Sequence, residues 1–409
     1  MMQKGLLYAQ SGGPTSVINS SACGVIRQAQ EEGLNVYVAL NGIDGIFNET
    51  IVDISKEDDK QIDKLCGTPA SAFGSCRTKL PDYKVDDSKY FELLKVFKKL
   101  NIRYFIYNGG NDSMNTCAKV AEFMKNNDYE CYVMGVPKTI DNDLLLTDHC
   151  PGFGSAAKYI ATTCYEIALD TAVYAKGRVT VVEVMGRDAG WLTASSALAN
   201  ENGAGPDLIY LPERAFDLDK FIERCKEVYE KKKTCLVAVS EGIRDKDGVY
   251  IAEYAKSSEK DAFNNVQLGG VGTYLADVIT KRTGIKTRAI ELSLMQRCAA
   301  HLCSKTDVEE AFEAGRCAVK SAVAGESGKM ISFKRVSSAP YKIEYVCAPL
   351  DDIAKFTQSV PDEFIGADGA SVTNAFIEYA KPLIQGEVSL EYKNGLPVYA
   401  KLKKELVKF

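Results

Sequence analysis

The chain has few of the residues from which metal-dependent and disulfide-stabilised proteins build their sites. Its 409 residues include only two histidines, His149 and His301. This number excludes a histidine-rich metal site and argues against a histidine-dependent catalytic triad, although one histidine would suffice for a triad. The thirteen cysteines show no C-x-x-C spacing, and disulfide frameworks belong to short secreted chains. We therefore expect buried, reduced thiols in a cytosolic protein.

Long apolar runs and an excess of charge of one sign are also missing. No stretch approaches the roughly 18 apolar residues of a membrane helix, and the N-terminal apolar stretch is too short for a signal peptide. Fifty basic and 55 acidic residues leave a net charge of −5, which gives no electrostatic reason to expect a nucleic acid or an anionic membrane as a partner. The sequence predicts a cytoplasmic protein, with a locally basic site if its substrate is an anion.

Short apolar strands alternate with helical periods along most of the chain. The predicted strands are residues 6–9, 36–40, 103–107, 131–136, 179–184, 208–211, 235–239 and 289–294, and the main predicted helices are residues 17–30, 155–175, 218–231 and 308–323. This alternation predicts an α/β protein with mostly parallel sheets covered by helices on both faces. Near the C-terminus, an alternating strand at 341–347 and an Asn394-Gly395 turn between 389–392 and 398–400 predict antiparallel pieces.

Two glycine loops follow predicted strands and precede predicted helices. The first is Ser11-Gly12-Gly13-Pro14-Thr15-Ser16, and the second is Gly109-Gly110-Asn111-Asp112-Ser113. Glycines let the backbone approach an anion closely, and the following helix offers free N–H groups. Either loop alone could be a plain strand–helix turn. Because ligands of open α/β sheets bind beyond the carboxyl ends of the strands, we expect the two loops to share one site.

A third loop, Lys138-Thr139-Ile140-Asp141-Asn142-Asp143, carries two carboxylates just past a buried strand. One carboxylate could take a proton from a substrate hydroxyl, and the other, or Asp112, could help to hold Mg²⁺. An Asx turn is the structural alternative. Further along, Met185-Gly186-Arg187, Glu241-Gly242 and Arg288 with Gln296-Arg297 accompany other strands. Arginine forks suit phosphate oxygens, although each arginine alone could be a surface charge.

The order and spacing of these motifs resemble the phosphofructokinase family. The resemblance is carried by GGPTS, GGNDS, PKTIDND, MGR, the Glu241-Gly242 pair and TRA…QR, and it covers roughly residues 5–330. TDHCPGFGSAAKY (residues 147–159) and LMQRCAAH (residues 294–301) are similar to segments of the pyrophosphate-dependent branch. The resemblance implies two Rossmann-like domains with the active site in the cleft between them. It also implies reversible phosphoryl transfer from pyrophosphate to the 1-hydroxyl of fructose 6-phosphate, a glycolytic reaction with Mg²⁺ as cofactor.

The resemblance further implies a division of the chain. Residues 1–148 with about 298–340 would form the phosphoryl-donor domain, which binds pyrophosphate and Mg²⁺. Residues 149–297 would form the sugar-phosphate domain. Residues 341–409 are expected to be a C-terminal extension that packs on the second domain or at an interface.

Residue roles follow from the same resemblance. Asp141 matches the general base, Thr139 and Asp143 match residues that position the substrate and the transferring phosphoryl group, and Arg77 matches an arginine near that group. The expected contacts to the phosphoryl donor are Gly12, Gly13, Gly110, Asp112, Ser113 and Lys138. The expected sugar-phosphate contacts are Thr139, Asp141, Met185, Gly186, Arg187, Glu241 and Arg297. Arg178 and Arg288 match arginines that reach the sugar phosphate from a neighbouring subunit, which implies a homodimer or homotetramer.

Two positions bear on the choice of phosphoryl donor. Members that use ATP have glycine where this chain has Asp112, and usually glycine where it has Lys138, so a carboxylate here would repel a nucleotide phosphate. The chain departs from the family at Asn111, where an aspartate commonly binds Mg²⁺, so the metal would be held by Asp112 or Asn111. Leu294 replaces a histidine that contacts the sugar in bacterial members using ATP. An ATP-dependent enzyme, a preference for sedoheptulose 7-phosphate and an inactive regulatory subunit are the alternatives.

Overall fold

The computed structural model describes residues 3–255, 270–353 and 357–409. The strands are β1 (Gly5–Gln10), β2 (Asn35–Ala39), β3 (Ile51–Asp53), β4 (Ile102–Gly109), β5 (Tyr132–Pro137), β6 (Val179–Val184), β7 (Leu208–Tyr210), β8 (Cys235–Ser240), β9 (Thr287–Glu291), β10 (Lys329–Ser338), β11 (Tyr341–Pro349), β12 (Tyr392–Lys393) and β13 (Leu396–Pro397). The helices are α1 (Ile18–Glu31), α2 (Asp44–Phe47), α3 (Asp59–Asp63), α4 (Ser88–Lys99), α5 (Asn111–Asn126), α6 (Phe153–Ala172), α7 (Trp191–Ser195), α8 (Leu218–Lys232), α9 (Val271–Thr283), α10 (Met295–Cys298), α11 (Lys305–Val323), α12 (Leu350–Ile353) and α13 (Asn374–Ala380).

The first sheet has seven strands in the order β11-β10-β5-β4-β1-β2-β3. Its central pairs, from β10 to β2, are parallel, and the two edge strands β3 and β11 are antiparallel to their neighbours. From β1 the chain proceeds to β2 on one side, whereas β4 and β5 extend the sheet on the other side. This reversal creates a crevice at the carboxyl ends of β1 and β4, where open α/β sheets bind their ligands.

Helices cover both faces of this sheet because the strands are apolar on both faces. Along β1, Leu6 and Tyr8 pack toward α1 and α11, whereas Leu7 and Ala9 pack toward α4 and α5. All four side chains are fully buried. A strand buried on both faces reads as a continuous apolar run, which is the pattern that the sequence shows here.

The second sheet has four parallel strands in the order β7-β8-β6-β9. One face packs on α6, α7 and part of the C-terminal region, and the other packs on α8 and α9. The expected α/β architecture of two mostly parallel, helix-covered sheets is confirmed.

The C-terminal residues contact both sheets. Strand β11 closes one edge of the first sheet. Residues 360–383 then pack on the core of the second sheet through Val360, Phe376 and Leu383. The last residues return to the first sheet, where the Val407 N–H donates to the Ile51 carbonyl at 2.7 Å. The domain boundaries expected from the sequence stay a prediction.

Most predicted strands form within one to three residues of their expected bounds. The strand expected at 289–294 instead runs from Thr287 to Glu291, and the hairpin at Asn394-Gly395 has strands of only two residues. Strand β10 and helices α4 and α9 were not predicted. All thirteen cysteines are free and most are buried. Within the described ranges, no helix is both long and apolar enough to cross a membrane.

Candidate active site

The two glycine loops meet in the crevice of the first sheet. The Ser11 N–H donates to the Asn108 carbonyl at 2.9 Å, and the Ser113 hydroxyl lies 3.0 Å from the Ser11 hydroxyl. Gly109 has to be glycine, because a Cβ there would lie 2.0 Å from the Ser113 Oγ. The N-terminus of α5 therefore opens into the crevice beside the first loop, and its free N–H groups favour an anion.

A cavity of about 300 Å³ lies in this crevice. Its lining includes Gly12, Gly13, Arg77, Gly110, Asn111, Asp112, Ser113, Lys138, Thr139, Asp141 and Asp143. These are all the residues that the sequence assigned to the phosphoryl donor, together with the predicted base and its neighbours. Ligand cavities span about 300–1,000 Å³, so this one suits a small ligand.

Lys138 provides a buried positive charge inside the cavity. Its side chain is 4% exposed, and its Nζ donates to the Gly13 carbonyl at 2.5 Å. Burial lowers the pKa of Lys138 to about 8, while Asp141 and Asp143 act in the opposite direction. The ammonium is thus bound to the first loop and is electrostatically attracted to the two carboxylates.

The two carboxylates lie on a loop that is held in place by side-chain hydrogen bonds. The Asp141 N–H donates to the Thr139 Oγ1 at 3.1 Å, and the Asn111 Nδ2 donates to Asp143 at 3.4 Å. Burial, followed by the charge of Asp143, raises the pKa of Asp141 to about 7. Burial also raises the pKa of Asp143. A carboxylate with this pKa can accept a proton near neutral pH.

Two side chains at the N-terminus of α5 carry oxygen atoms of the kind that bind a divalent metal ion. The Asn111 Oδ1 is buried and has no hydrogen-bond partner. The neighbouring Asp112 carboxylate is exposed and lies 3.0 Å from the Lys79 Nζ. Among the described residues, no three His, Cys, Asp or Glu side chains form a metal-binding group. Mg²⁺ is usually bound through one or two carboxylates plus substrate phosphates, so such a group is not required.

The loops after β6 and β8 are bound to each other and to α10. The Gly186 N–H donates to Glu241 at 3.2 Å, and the Ser240 hydroxyl donates to the Gly186 carbonyl at 2.5 Å. Gly186 has a φ of +135°, which few other residues adopt. The Met185 N–H donates to the Gln296 Oε1 at 3.2 Å, so α10 is fixed to the same loop.

The charged groups of these loops and of α10 interact with those of the crevice. Burial raises the pKa of Glu241 to about 7, and the carboxylate of Asp141 adds to this rise. Burial lowers the pKa of Arg297, and Arg77 lowers it further. A Cβ on Gly13 would lie 3.2 Å from the Arg297 Nη1. Arg297 therefore lies between the first glycine loop and the loops of the second sheet.

Arg178 and Arg288 are not brought into this site. Arg178 directly precedes β6, and Arg288 lies inside β9 beside the start of β6, whereas Met185 follows the end of β6. At about 3.3 Å per residue, the backbone positions of Arg178 and Met185 are roughly 23 Å apart. The Arg178 side chain is 9% exposed, and its guanidinium lies 4.7 Å from the Tyr174 ring.

Of the residues that shape the site, the sequence missed Ser240 and named Gln296 only as the neighbour of Arg297. Ser240 and Gln296 are buried and bind the backbone of the Met185 loop, but each is an ordinary polar residue next to a motif. His149 is 2% exposed, with its ring nitrogens 2.8 Å from Asp148 and from Glu310. Burial lowers its pKa, but Glu310 and Asp148 outweigh this effect and raise it to about 9. His149 is therefore a paired structural residue.

A family model for phosphofructokinase matches residues 6–353, so the chain belongs to the phosphofructokinase family. Individual enzymes are similar to this chain over nearly their whole length. The chain is 45% identical to a pyrophosphate–fructose 6-phosphate 1-phosphotransferase of Halomonas elongata, over 100% of this chain and 98% of the relative. It is 44% identical to the enzyme of the same name from Xanthomonas campestris, over 98% and 97% of the two chains.

A solved structure gives the same result. The crystal structure of pyrophosphate-dependent phosphofructokinase from Nitrosospira multiformis superposes with a TM-score of 0.91 at 39% identity, over 100% of this chain and 98% of the other. The family resemblance found in the sequence motifs is thus confirmed, with its similarity to the pyrophosphate-dependent branch.

Proposed function

We propose that this chain catalyses the reversible transfer of a phosphoryl group from pyrophosphate to the 1-hydroxyl of fructose 6-phosphate, as a step of glycolysis in the cytoplasm. The observation that carries the proposal is the buried ammonium of Lys138, which lies in a small cavity between the first glycine loop and the Asp141 loop. The names of the similar enzymes from Halomonas elongata and Xanthomonas campestris support it.

The cavity favours pyrophosphate over ATP as the phosphoryl donor. Asp112 lies in the first turn of α5, at the cavity lining, where a nucleotide would bring a further phosphate. Two like charges at about 4 Å repel each other by about 1–4 kcal/mol, depending on the dielectric. Pyrophosphate has no further phosphate group to bring against that carboxylate. The volume of about 300 Å³ also suits a small inorganic donor.

The mechanism follows from the positions of the charged groups. Asp141 accepts the proton of the sugar 1-hydroxyl as that oxygen attacks one phosphorus of pyrophosphate. The bond from this phosphorus to the bridging oxygen breaks, and inorganic phosphate leaves. The raised pKa of Asp141 suits the role of base near neutral pH. Lys138, Arg77 and Arg187 stabilise the negative charge of the transferring group. Arg297, expected as a sugar-phosphate contact, lies close to Gly13 and would add to this effect. Thr139 holds the backbone of Asp141, so the base is positioned before the substrate arrives. Catalysis then depends mainly on positioning and electrostatics.

Mg²⁺ is the cofactor that the site fits. The unpartnered Asn111 Oδ1 and the Asp112 carboxylate would hold it at the N-terminus of α5. When bound, the ion neutralises negative charge on the pyrophosphate oxygens. The sugar phosphate would bind to the loops after β6 and β8, at Arg187, Glu241 and the backbone of Met185 and Gly186.

A second copy of the chain would complete the sugar-phosphate site. Arg178 directly precedes β6, and Arg288 lies near the amino end of β9. Met185, in contrast, follows the carboxyl end of β6. Strand β9 is an edge of the second sheet, and the nearby Leu294 and Met295 are more than half exposed. These features support a homodimer or homotetramer in which each copy contributes these arginines to the sugar-phosphate site of its neighbour.

The test is an assay of the purified protein with pyrophosphate or ATP as donor, and with fructose 6-phosphate or sedoheptulose 7-phosphate as acceptor. We expect turnover with pyrophosphate and fructose 6-phosphate in the presence of Mg²⁺, and the reverse reaction with phosphate. Turnover with ATP alone would contradict the proposed donor. A protein that binds sugar phosphate without turnover would support the regulatory alternative.

A further inference from the structure

Residues 357–385 lie beyond the part of the chain that the family model matches, which ends at residue 353. They nevertheless reach the Asp141 loop. The backbone N–H of Gln358 donates to the Asp143 carbonyl at 2.8 Å, and the Tyr379 hydroxyl lies 2.9 Å from the Asn142 Nδ2. A segment outside the family region thus binds the loop that carries the proposed base at two points.

Asn142 is the residue through which this contact acts on both carboxylates, because it lies between Asp141 and Asp143. Its side chain is 1% exposed, and its φ of +56° is in the left-handed region. Its Oδ1 accepts a hydrogen bond from the Cys150 N–H at 2.8 Å, while its Nδ2 donates to Tyr379. Both ends of the amide are therefore used to hold a backbone conformation that few residues adopt.

Tyr379 is itself held from several sides. Its hydroxyl donates to the Asp148 carbonyl at 2.8 Å, and its carbonyl accepts from the Arg335 Nη1 at 2.9 Å. The Arg335 guanidinium also lies 4.7 Å from the Tyr379 ring and pairs with the Asp148 carboxylate at 2.9 Å. The hydroxyl that reaches Asn142 is thus fixed in place.

The same segment contacts the loop that follows Arg187. The Trp191 Nε1 donates to the Gln358 carbonyl at 2.9 Å. Glu213 accepts from the N–H groups of both Gly190 and Val360, at 2.8 and 2.9 Å. The backbone of Gln358 therefore binds the Asp141 loop through its N–H and the start of α7, which follows the Arg187 loop, through its carbonyl.

We propose that residues 357–385 align the Asp141 loop with the loop that carries Arg187. We also propose that Tyr379 is a positioning residue that acts through Asn142. This proposal rests on the proposed function for the role of Asp141. A displacement of about 1 Å at a reacting group costs up to about a hundredfold in rate. Loss of the Tyr379 hydroxyl should therefore lower kcat, while the substrates still bind.

The test compares Tyr379→Phe with Tyr129→Phe. Tyr129 is a matched control, because its partly buried hydroxyl lies 2.8 Å from the Ile102 carbonyl, at the end of the first sheet away from the crevice. We expect Tyr379→Phe to lower kcat about tenfold to a hundredfold, with each KM changed by less than about twofold, and Tyr129→Phe to keep the wild-type kcat. Equal kcat values for the two variants would overturn the proposal.

Asn142→Gly supplies a second variant, because glycine adopts a positive φ readily and lacks the amide. If Tyr379 acts through Asn142, the double variant should be no slower than Asn142→Gly alone. Additive losses would show that Tyr379 acts by another route and would contradict the proposed role.

Hydrogen exchange provides a readout that does not depend on activity. Peptides that cover residues 139–148 should exchange about tenfold faster in Tyr379→Phe than in wild type, and at the wild-type rate in Tyr129→Phe. Unchanged exchange in Tyr379→Phe would overturn the positioning role. A wild-type protein that does not use pyrophosphate would contradict the proposed function alone, and the exchange measurement would still decide on Tyr379.

Discussion

The Nζ of Lys138 lies 2.5 Å from the carbonyl oxygen of Gly13, so the ammonium of one loop is bound to the backbone of another. The contact brings the residue after β5 to the glycine loop after β1, although 125 positions separate the two residues in the chain. The charges of Asp141 and Asp143 act against the effect of burial on the pKa of Lys138, so the ammonium is also attracted to these two carboxylates. It also provides a charge partner for a phosphate.

Asp141→Asn should lower kcat by about 10²–10⁴-fold, the usual contribution of a general base. The change is nearly isosteric, so binding of fructose 6-phosphate should persist in calorimetry. Asp128→Asn, at an exposed residue just after α5, is the control and should leave kcat unchanged. A variant at Asp141 that keeps more than a tenth of wild-type turnover would exclude Asp141 as the base.

The same substitution should change the pH dependence of stability. The folded-state pKa of Asp141, about 7, lies above its ordinary value of 3.8. The contribution of Asp141 to the free energy of unfolding is therefore fully present below pH 3.8 and is lost as the pH rises through 7. Asp141→Asn removes the buried charge. Its melting temperature relative to wild type should therefore be higher at pH 8 than at pH 5. A constant difference across this range would contradict the raised pKa.

The rate should show a bell-shaped pH profile. Activity should rise through pH 7 as Asp141 loses its proton, and fall above about pH 8 as Lys138 loses its charge. Lys138→Arg tests the alkaline limb, because arginine keeps its charge at any accessible pH. We expect lower activity but no alkaline decline in this variant. An alkaline limb that is unchanged would assign it to another group.

The phosphoryl donor should depend on Asp112 and Lys138. At saturating Mg²⁺, because Asp112 is also a proposed ligand of the ion, Asp112→Gly should raise activity with ATP relative to activity with pyrophosphate by roughly tenfold to a few hundredfold. The reason is that it relieves about 1–4 kcal/mol of repulsion. Asp112→Asn is the matched control that removes charge but keeps bulk. Lys138→Gly should mainly reduce activity with pyrophosphate. If neither single variant nor the double variant gains ATP activity in steady-state kinetics, donor choice is not set at these positions.

Shared sites can be tested by mixing two inactive variants. If Arg178 serves the site of a neighbouring copy, a hybrid of Asp141→Asn and Arg178→Ala subunits contains one site with both native residues. For random mixing of a dimer, about a quarter of wild-type activity should return, because half of the dimers are hybrids with one intact site in two. The variants mixed without subunit exchange are the control. Failure to recover activity after exchange would place Arg178 outside the partner's site.

The motifs that carry the site could be predicted from the sequence because each has a local physical cause. Gly109 and Gly186 are required by a close contact and a positive φ, and the Lys138-to-Asp143 loop follows a buried apolar strand. Strand β10 was missed, although Ile331 and Phe333 alternate with polar residues. Its position beside β5 depends on a pairing of only two residues, which the sequence does not show.

The sequence by itself determined the α/β class, the order of the phosphate loops and the chemical groups of the candidate site, because strand and helix periods and glycine loops are local properties of the chain. Only the tertiary structure decided which groups meet. It brought Arg297 to Gly13 and Tyr379 to Asn142, and it left Arg178 at the far end of β6. The physical reason is that such contacts join residues more than a hundred positions apart, and their formation depends on how two sheets and a C-terminal segment pack together.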